Sequence, residues 1–397
     1  VIENAAMEQN PPAGGRWLML GVLFIARTVM AWQFQTVGSS APFLADAFAL
    51  DYAQIGTLIG LYMLPGIFIA LPGGVLGQRF GAKRVVLLGL LLMGAGGALM
   101  GVSSSYPLLA AGRAIAGVGA ALINVLMTKM IADWFAGREI VTAMAIFIAS
   151  WPLGLGLGLV VFTPLAAAVS WRAVMNGAAL CSLASLAAVA LVYRDPPGAD
   201  AASDARLRVN LTAHEWLTVS LAGSVWTTYN VGYIVLVSFL PDLFTGHGFS
   251  FAQAGRIVSL LGWVLIPSVP LAGWLAERFD RPNLFLAGGL AASGLAAAML
   301  AFSPAPIFVF IVLALVIGAP AGLIMALPAQ ALRAESRAAG MGVYFTWYYV
   351  GMALLPGLAG FARDVTASAA ATPLFAAAMM ALALAGIAGF RLVQARR

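Results

Sequence analysis

The chain has 397 residues, 62% of them hydrophobic and only 9% charged, where an ordinary soluble domain carries about 25% charged residues. That balance excludes water as the main solvent and overrides the two or three soluble domains that length alone suggests. The formal charge of +6 comes without any cluster of Lys or Arg interleaved with aromatics, so it fits loops facing anionic lipid and excludes a nucleic-acid surface.

In chain order, the stretch up to Gly15 contains Glu, Asn and two prolines but no signal-peptide core, so the first apolar segment is expected to be retained as a membrane helix. Apolar segments of bilayer length, about 20 residues, then recur at 17–41, 51–75, 84–102, 106–131, 140–166, 171–192, 214–240, 251–276, 283–303, 306–329, 338–361 and 372–393. Between the sixth and the seventh lies a polar stretch with Pro196, Pro197 and Gly198, which reads as a linker. Thr212 followed by Glu215 predicts a capping box opening the seventh span. The fold class is therefore an all-α membrane protein, with twelve transmembrane helices in two pseudo-symmetric six-helix bundles. The predicted divisions are a tail 1–16, a bundle 17–193, a linker 194–212, a bundle 213–393 and a tail 394–397.

With both termini cytoplasmic, most of the 21 Lys and Arg residues fall on the cytoplasmic side. The opposite loops keep only Arg172 and Arg363, so the positive-inside rule gives this topology. The expected location is a bacterial inner membrane. Arg27, Arg113 and Arg256 lie inside predicted spans.

The halves repeat each other. Tyr52-Ala53-Gln54-Ile55-Gly56 returns as Phe251-Ala252-Gln253-Ala254-Gly255. At the same offset Gly74-Val75-Leu76-Gly77-Gln78-Arg79-Phe80 returns as Gly273-Trp274-Leu275-Ala276-Glu277-Arg278-Phe279, and Pro42 as Pro241. A repeat at half the chain length inside an apolar sequence is the pattern of a two-halved transporter with its site at the seam. A weaker pairing matches Glu139 and Trp151 to Glu335 and Trp347. Cys181 is the only cysteine and His214 and His247 the only histidines, so neither an internal disulfide nor a metal-ligand set can be assembled. No ATP-binding loop and no catalytic constellation occur, so neither a cofactor nor an enzyme activity is expected.

Gly74 to Arg84 resembles the loop 2–3 signature of the major facilitator superfamily, Gly-x-Leu-x-Asp-Arg-x-Gly-Arg-Arg, with a degenerate second copy at Gly273 to Arg278. Arg113-Ala114-Ile115-Ala116-Gly117-Val118-Gly119-Ala120-Ala121 resembles the superfamily's helix 4 motif. The resemblance covers essentially the whole chain and implies gating roles for Gly74, Gln78, Arg79, Gly81, Lys83, Arg84, Arg113, Gly273, Glu277 and Arg278. Gln78 stands where the family's acid is usual. It cannot form the family's ion pair, which shifts that role toward Glu277. The fifth span lacks the antiporter signature, and the chain resembles the superfamily's monocarboxylate, oxalate and cyanate carriers in having an arginine, Arg256, in its eighth span.

Charge inside a bilayer is costly, about +2.5 to +3.5 kcal/mol for a mid-helix Arg even on a lenient scale. Arg27 lies roughly 15 Å into the first span at 1.5 Å per residue, with no carboxylate in that span. A permanent cation there suits an anionic substrate; the alternative is a structural arginine bonded to carbonyls of a broken helix. For Arg256 the alternative is a headgroup-facing or gating residue. Arg113 shares a face with Gly117, Ala120 and Asn124, which favours a structural or gating role. Tyr229, Asn230 and Tyr233 share a face of the seventh span with Trp226 and are the preferred hydrogen-bonding group. Trp347, Tyr348 and Tyr349 crowd the eleventh span, with Trp32, Phe34 and Gln35 in the first; such aromatics serve packing as readily as binding. The predicted substrate contacts are thus Arg27, Arg256, Tyr229, Asn230, Tyr233, Trp347, Tyr348, Phe34 and Asn124. Prolines in the second, eighth and tenth spans are candidate hinges.

The 15 acidic residues fall in loops or at helix ends, which disfavours an organic-cation carrier. Arginine cannot exchange a proton at ordinary pH, so a proton rides on the substrate, the mechanism is exchange or uniport, or Asp46 is the coupling group. The expected function is alternating-access transport of a small organic or inorganic anion, by a monomer in the lipid bilayer, with a coupled proton or counter-anion as a further partner. Efflux of amphipathic compounds, and a non-transporting receptor or sensor, are the competing readings.

Overall fold

Hydrocarbon offers no partner for a free N–H or C=O, so a chain this apolar must satisfy its backbone within each segment. The computed structural model describes residues 13–135, 139–196, 211–333 and 336–395, and among them no strand occurs. The first half comprises α1 (Ala13–Gln35), α2 (Ala41–Phe48), α3 (Tyr52–Leu61), α4 (Leu64–Phe80), α5 (Ala82–Gly101), α6 (Tyr106–Trp134), α7 (Ile140–Ala168) and α8 (Trp171–Val192). The second comprises α9 (Ala213–Gly246), α10 (Phe251–Arg278), α11 (Pro282–Leu300), α12 (Pro306–Val316), α13 (Ala321–Met325), α14 (Leu327–Ala331), α15 (Arg337–Thr366) and α16 (Ala371–Ala395).

These elements cover the twelve predicted spans. Among the described residues, ten helical stretches are long and apolar enough to cross a membrane. The other two crossings are α9 and α15, 34 and 30 residues long, whose Thr, Asn, Tyr and Trp side chains dilute their apolarity. Three spans differ in detail from prediction. The first ends at Gln35, not 41, and is followed by a 3-10 turn at Gly38–Ser40 and by α2. The second breaks between Leu61 and Leu64, just before Pro65. The tenth divides into α12, α13 and α14 around Gly318 to Pro320 and Pro328, where proline removes a backbone donor. Pro267 and Pro270 sit inside an unbroken α10.

Helix starts follow local chemistry. The predicted capping box opens α9: Glu215 N donates to Thr212 Oγ1 at 3.2 Å and Thr212 N to Glu215 Oε2 at 2.9 Å. The same buried carboxylate accepts from Arg333 Nε at 3.0 Å and from the Ser336 hydroxyl, which ties α9 to the start of α15. Asp51 with Gln54 and Ser250 with Gln253 form two further boxes, so the repeated Gln of the two halves is one device used twice.

Within the first bundle α5 and α6 pack backbone on backbone. A Cβ on Gly96 would come within 2.5 Å of the Gly112 carbonyl and the Ala116 amide. The two bundles meet along α3 with α15 and α7 with α10, where Gly56 and Gly60 lie against the Pro356 and Ala353 carbonyls and Gly262 against that of Pro152. Cross-bundle hydrogen bonds among the described residues join Asn124 to Tyr349, Tyr52 to Asp242, and the Tyr52 and Ala53 amides to Asp364. The bundles are thus tied at the end that carries Asp51 and Asp364. At the opposite, basic end no described hydrogen bond or ion pair crosses between them.

Close approach at Gly96 makes a clear expectation. Gly96→Leu should force α5 from α6 at an overpacking cost of about 1–3 kcal/mol, read as a lower midpoint in thermal unfolding of the detergent-solubilised protein.

Candidate functional site

Arg27 projects from the middle of α1 into the space between the bundles and is half-buried. Its Nη1 donates to the Phe147 carbonyl of α7 at 2.9 Å and its Nη2 to Asn124 Oδ1 of α6 at 3.5 Å. The guanidinium lies 4.7 Å from the centroid of the Phe147 ring, with Tyr348 and Tyr349 close by. Its Nε is buried with no partner. A guanidinium carries five N–H donors, so much of its capacity is unused. Asn124 Nδ2 donates to the Tyr349 hydroxyl at 3.1 Å, which extends this group from the first bundle into the second.

Behind it stands an aromatic wall. Tyr348 packs on Tyr349 at 5.3 Å between centroids and on Trp226 at 6.4 Å. Trp226 in turn lies 5.9 Å from Tyr229 and 6.3 Å from Tyr344. Arg27 and Trp226, which occupy matching positions of the repeat, therefore both neighbour Tyr348. A cation on one side and π-faces on the other can hold a planar or apolar body with one negative charge.

Other predicted contacts lie elsewhere in this conformation. Arg256 is exposed on the first turns of α10, and no described contact brings it to Arg27. The Tyr229 hydroxyl donates to the Ile317 carbonyl at 2.8 Å, so it completes the break after α12. Tyr233 is buried in the second bundle with an unpartnered hydroxyl. Asn230 Nδ2 donates within its own helix, to Trp226 O. Trp347 packs on Gly223 of α9 and is largely exposed. Phe34 is buried, 5.6 Å from the Tyr62 ring and 5.5 Å from that of Trp151, and its carbonyl accepts from Arg113. It is a core residue: it shares the helix face of Arg27 but lies two turns farther along, where Tyr62, Trp151 and Arg113 enclose it.

Arg113 is fully buried. Its Nε, Nη1 and Nη2 donate to the carbonyls of Leu58, Gln33 and Phe34 at 2.9, 2.9 and 2.7 Å, and its charge lies 4.5 Å from the Tyr62 ring centroid. These carbonyls belong to the last turns of α1 and α3. Arg113 closes two helix ends with one side chain and is 0% exposed.

Of the loop motif, Lys83 Nζ caps α8 through the Ala190 and Tyr193 carbonyls at 3.0 and 2.6 Å. Gly81 holds φ +85° at the α4–α5 turn. Arg79, Arg84, Glu277 and Arg278 are exposed, with Arg79 over Phe80 and Arg278 over Trp274. Gly273 has open space around it. Gly74 lies within α4; the Gln78 side chain and Glu335 lie outside the described residues, as does most of the predicted linker. Asp46 is exposed on α2, away from Arg27. Sequence reasoning missed Phe147, and it missed Tyr52, Asp242, Arg363 and Asp364, which gather between the bundles. The repeat pointed to Tyr52 as a motif residue, but nothing local pairs it with the acids.

The family model for the Major Facilitator Superfamily matches residues 23–356 and 221–396. The 3-(3-hydroxy-phenyl)propionate transporter of Escherichia coli (strain K12) is 27% identical, over 98% of this chain and 97% of its own length. The gallate transporter of Pseudomonas putida is 26% identical over 73% of this chain and 72% of its own. Among solved structures, the inward-facing, occupied bacterial homologue of the human lysosomal transporter Spinster superposes with a TM-score of 0.80 at 16% identity, covering 97% of this chain and 98% of that one. That likeness speaks to fold.

Removing part of the Arg113 fork tests its role. Arg113→Lys keeps the charge but loses the three-way geometry, and should cost about 2–4 kcal/mol through unsatisfied carbonyls. A melting point equal to that of the parent would contradict it.

Proposed function

Because the chain belongs to the Major Facilitator Superfamily, a family of integral membrane transporters and not enzymes, we propose that it carries small aromatic carboxylates across the membrane by alternating access. The observation that carries this reading is Arg27: a half-buried guanidinium between the bundles with unused donors, facing aromatic rings. A carboxylate could take up those donors in a bidentate, charge-assisted pair, while its ring rests against Tyr348 and Trp226. The substrates for which two relatives are named, a hydroxyphenylpropionate and gallate, are both aromatic acids and support the same choice.

The distribution of basic residues supports placing the basic end in the cytoplasm. The tied end then faces outward and the present conformation opens inward, in a bacterial inner membrane. The predicted bundles 17–193 and 213–393 and the linker 194–212 fit rocking about a central site. Coupling to a proton or to a counter-anion is distinguished by whether a pH gradient or internal substrate drives uptake.

Uptake of labelled 3-(3-hydroxyphenyl)propionate and gallate into proteoliposomes tests the proposal. Arg27→Gln should lower apparent affinity for both by about a hundredfold, the scale of a lost bidentate ion pair, with Arg27→Lys intermediate. Carboxylate uptake unchanged in Arg27→Gln would sink the assignment. Arg27-independent export of uncharged amphipathic compounds would favour an efflux carrier in its place.

A further inference from the structure

The N-terminus of α3 is finished by the other half of the molecule. Asp51 and Gln54 satisfy each other's amides, Asp51 N to Gln54 Oε1 at 3.1 Å and Gln54 N to Asp51 Oδ1 at 2.7 Å. Ile55 N already reaches the Asp51 carbonyl at 3.1 Å. Two orphan donors remain, the amides of Tyr52 and Ala53. Both donate to the carboxylate of Asp364 on α15, at 2.9 and 2.7 Å. An anion at a helix N-terminus also meets the positive end of the macrodipole.

A second set of contacts sits beside it. The Tyr52 hydroxyl donates to Asp242 Oδ1 of α9 at 2.8 Å, and Arg363 Nε of α15 donates to Asp242 Oδ2 at 3.1 Å. Arg363 lies 4.5 Å from the centroid of the Tyr52 ring. Arg363 and Asp242 belong to one bundle, so their pair survives separation of the halves and orients the acceptor for Tyr52. The bonds to Tyr52 and Ala53 do not survive it.

The repeat supplies the contrast. Phe251 and Ala252 open α10 as Tyr52 and Ala53 open α3, under a Ser250–Gln253 box of the same form. Among the described residues no side chain of the first bundle caps their amides. Phe251 has no hydroxyl, and it meets Phe43 edge to face at 5.7 Å. Two pseudo-equivalent seams therefore close the same end by different means: one through charge-assisted hydrogen bonds, the other through close packing that, among the described residues, no hydrogen bond crosses.

We propose that Asp364, with Tyr52 and the Asp242–Arg363 pair, is a one-sided latch that holds this end of the transporter shut. Asp364 is the locking group, Asp242 and Arg363 are positioning residues, and the α7–α10 seam serves as the pivot. The inference rests on the alternating-access part of the proposed function but not on the substrate.

A thiol at Ser238 reports on the latch. Ser238 is 4% exposed and lines a cleft of about 310 Å³ at the tied end, beside Tyr52 and Asp242. In a Cys181→Ala, Ser238→Cys parent in membrane vesicles, a membrane-impermeant maleimide is applied from the face that carries Asp51 and Asp364. Asp364→Ala should raise the labelling rate about tenfold and Tyr52→Phe about threefold, as expected for losing two charge-assisted bonds or one. Gln253→Ala, which breaks only the α10 box, should leave the rate within about twofold. If Asp364→Ala does not yield a monodisperse protein, Asp364→Asn, which keeps one acceptor oxygen, should give an intermediate rise. Labelling at the parental rate in a folded Asp364 variant, or an equal rise in Gln253→Ala, would overturn the latch. The assay uses no substrate, so its failure is separable from failure of the carboxylate reading.

Discussion

The constraint on which this structure depends is the carbonyl that a helix leaves free where it stops inside hydrocarbon. The chain stops helices there repeatedly: after Gln35, after Leu61 and after Val316. Each stop has a dedicated donor. Arg113 serves the Gln33, Phe34 and Leu58 carbonyls together, the Tyr62 hydroxyl serves Met30, and the Tyr229 hydroxyl serves Ile317. Breaks let α1, α3 and α12 bend around the central space, and buried donors make the breaks affordable. Arg113 and Tyr62, among the largest fully buried side chains of the described residues, are thus employed in keeping its shape.

Arg27 stands out against that background. Arg113 directs Nε, Nη1 and Nη2 each to a carbonyl at 2.7–2.9 Å, whereas Arg27 has one bond of that quality and another at 3.5 Å. Two arginines within membrane-spanning helices have been given opposite treatments. A saturated guanidinium is a structural clamp, whereas the unsaturated one between the bundles keeps the free donors on which the proposed carboxylate site rests. The comparison within one molecule separates the two arginines by donor satisfaction, which their shared position inside predicted spans does not.

This also explains what could be read from sequence. Span positions follow from hydropathy over long windows, and the largest errors occur at Gln35 and around Pro320, where local chemistry ends a helix inside an apolar run. The two glutamines of the repeat were visible, and their capping role follows from an Asp or Ser three residues earlier. Phe34 and Tyr229 were read as cavity residues because a helix face can be assigned from spacing, but not which neighbour that face meets. The acids Asp242 and Asp364 were legible only as helix-end residues. Their meeting at Tyr52 is a product of bundle packing, which no window of one helix contains.

The repeat invites the expectation that both seams work alike, and the side chains argue otherwise. Tyr52 and Phe251 differ by one hydroxyl, yet only the former has a carboxylate to receive it. At the centre the same offset sets a cation, Arg27, against an aromatic, Trp226. Duplication gave two equal halves, and divergence has placed hydrogen-bonding charge at one seam and apolar contact at the other. Polar contacts are short-ranged and directional, so they break over a small displacement; apolar contacts slide and persist. The alternating access proposed above needs an end that shuts firmly yet opens by rotation, and one seam of each kind suits it.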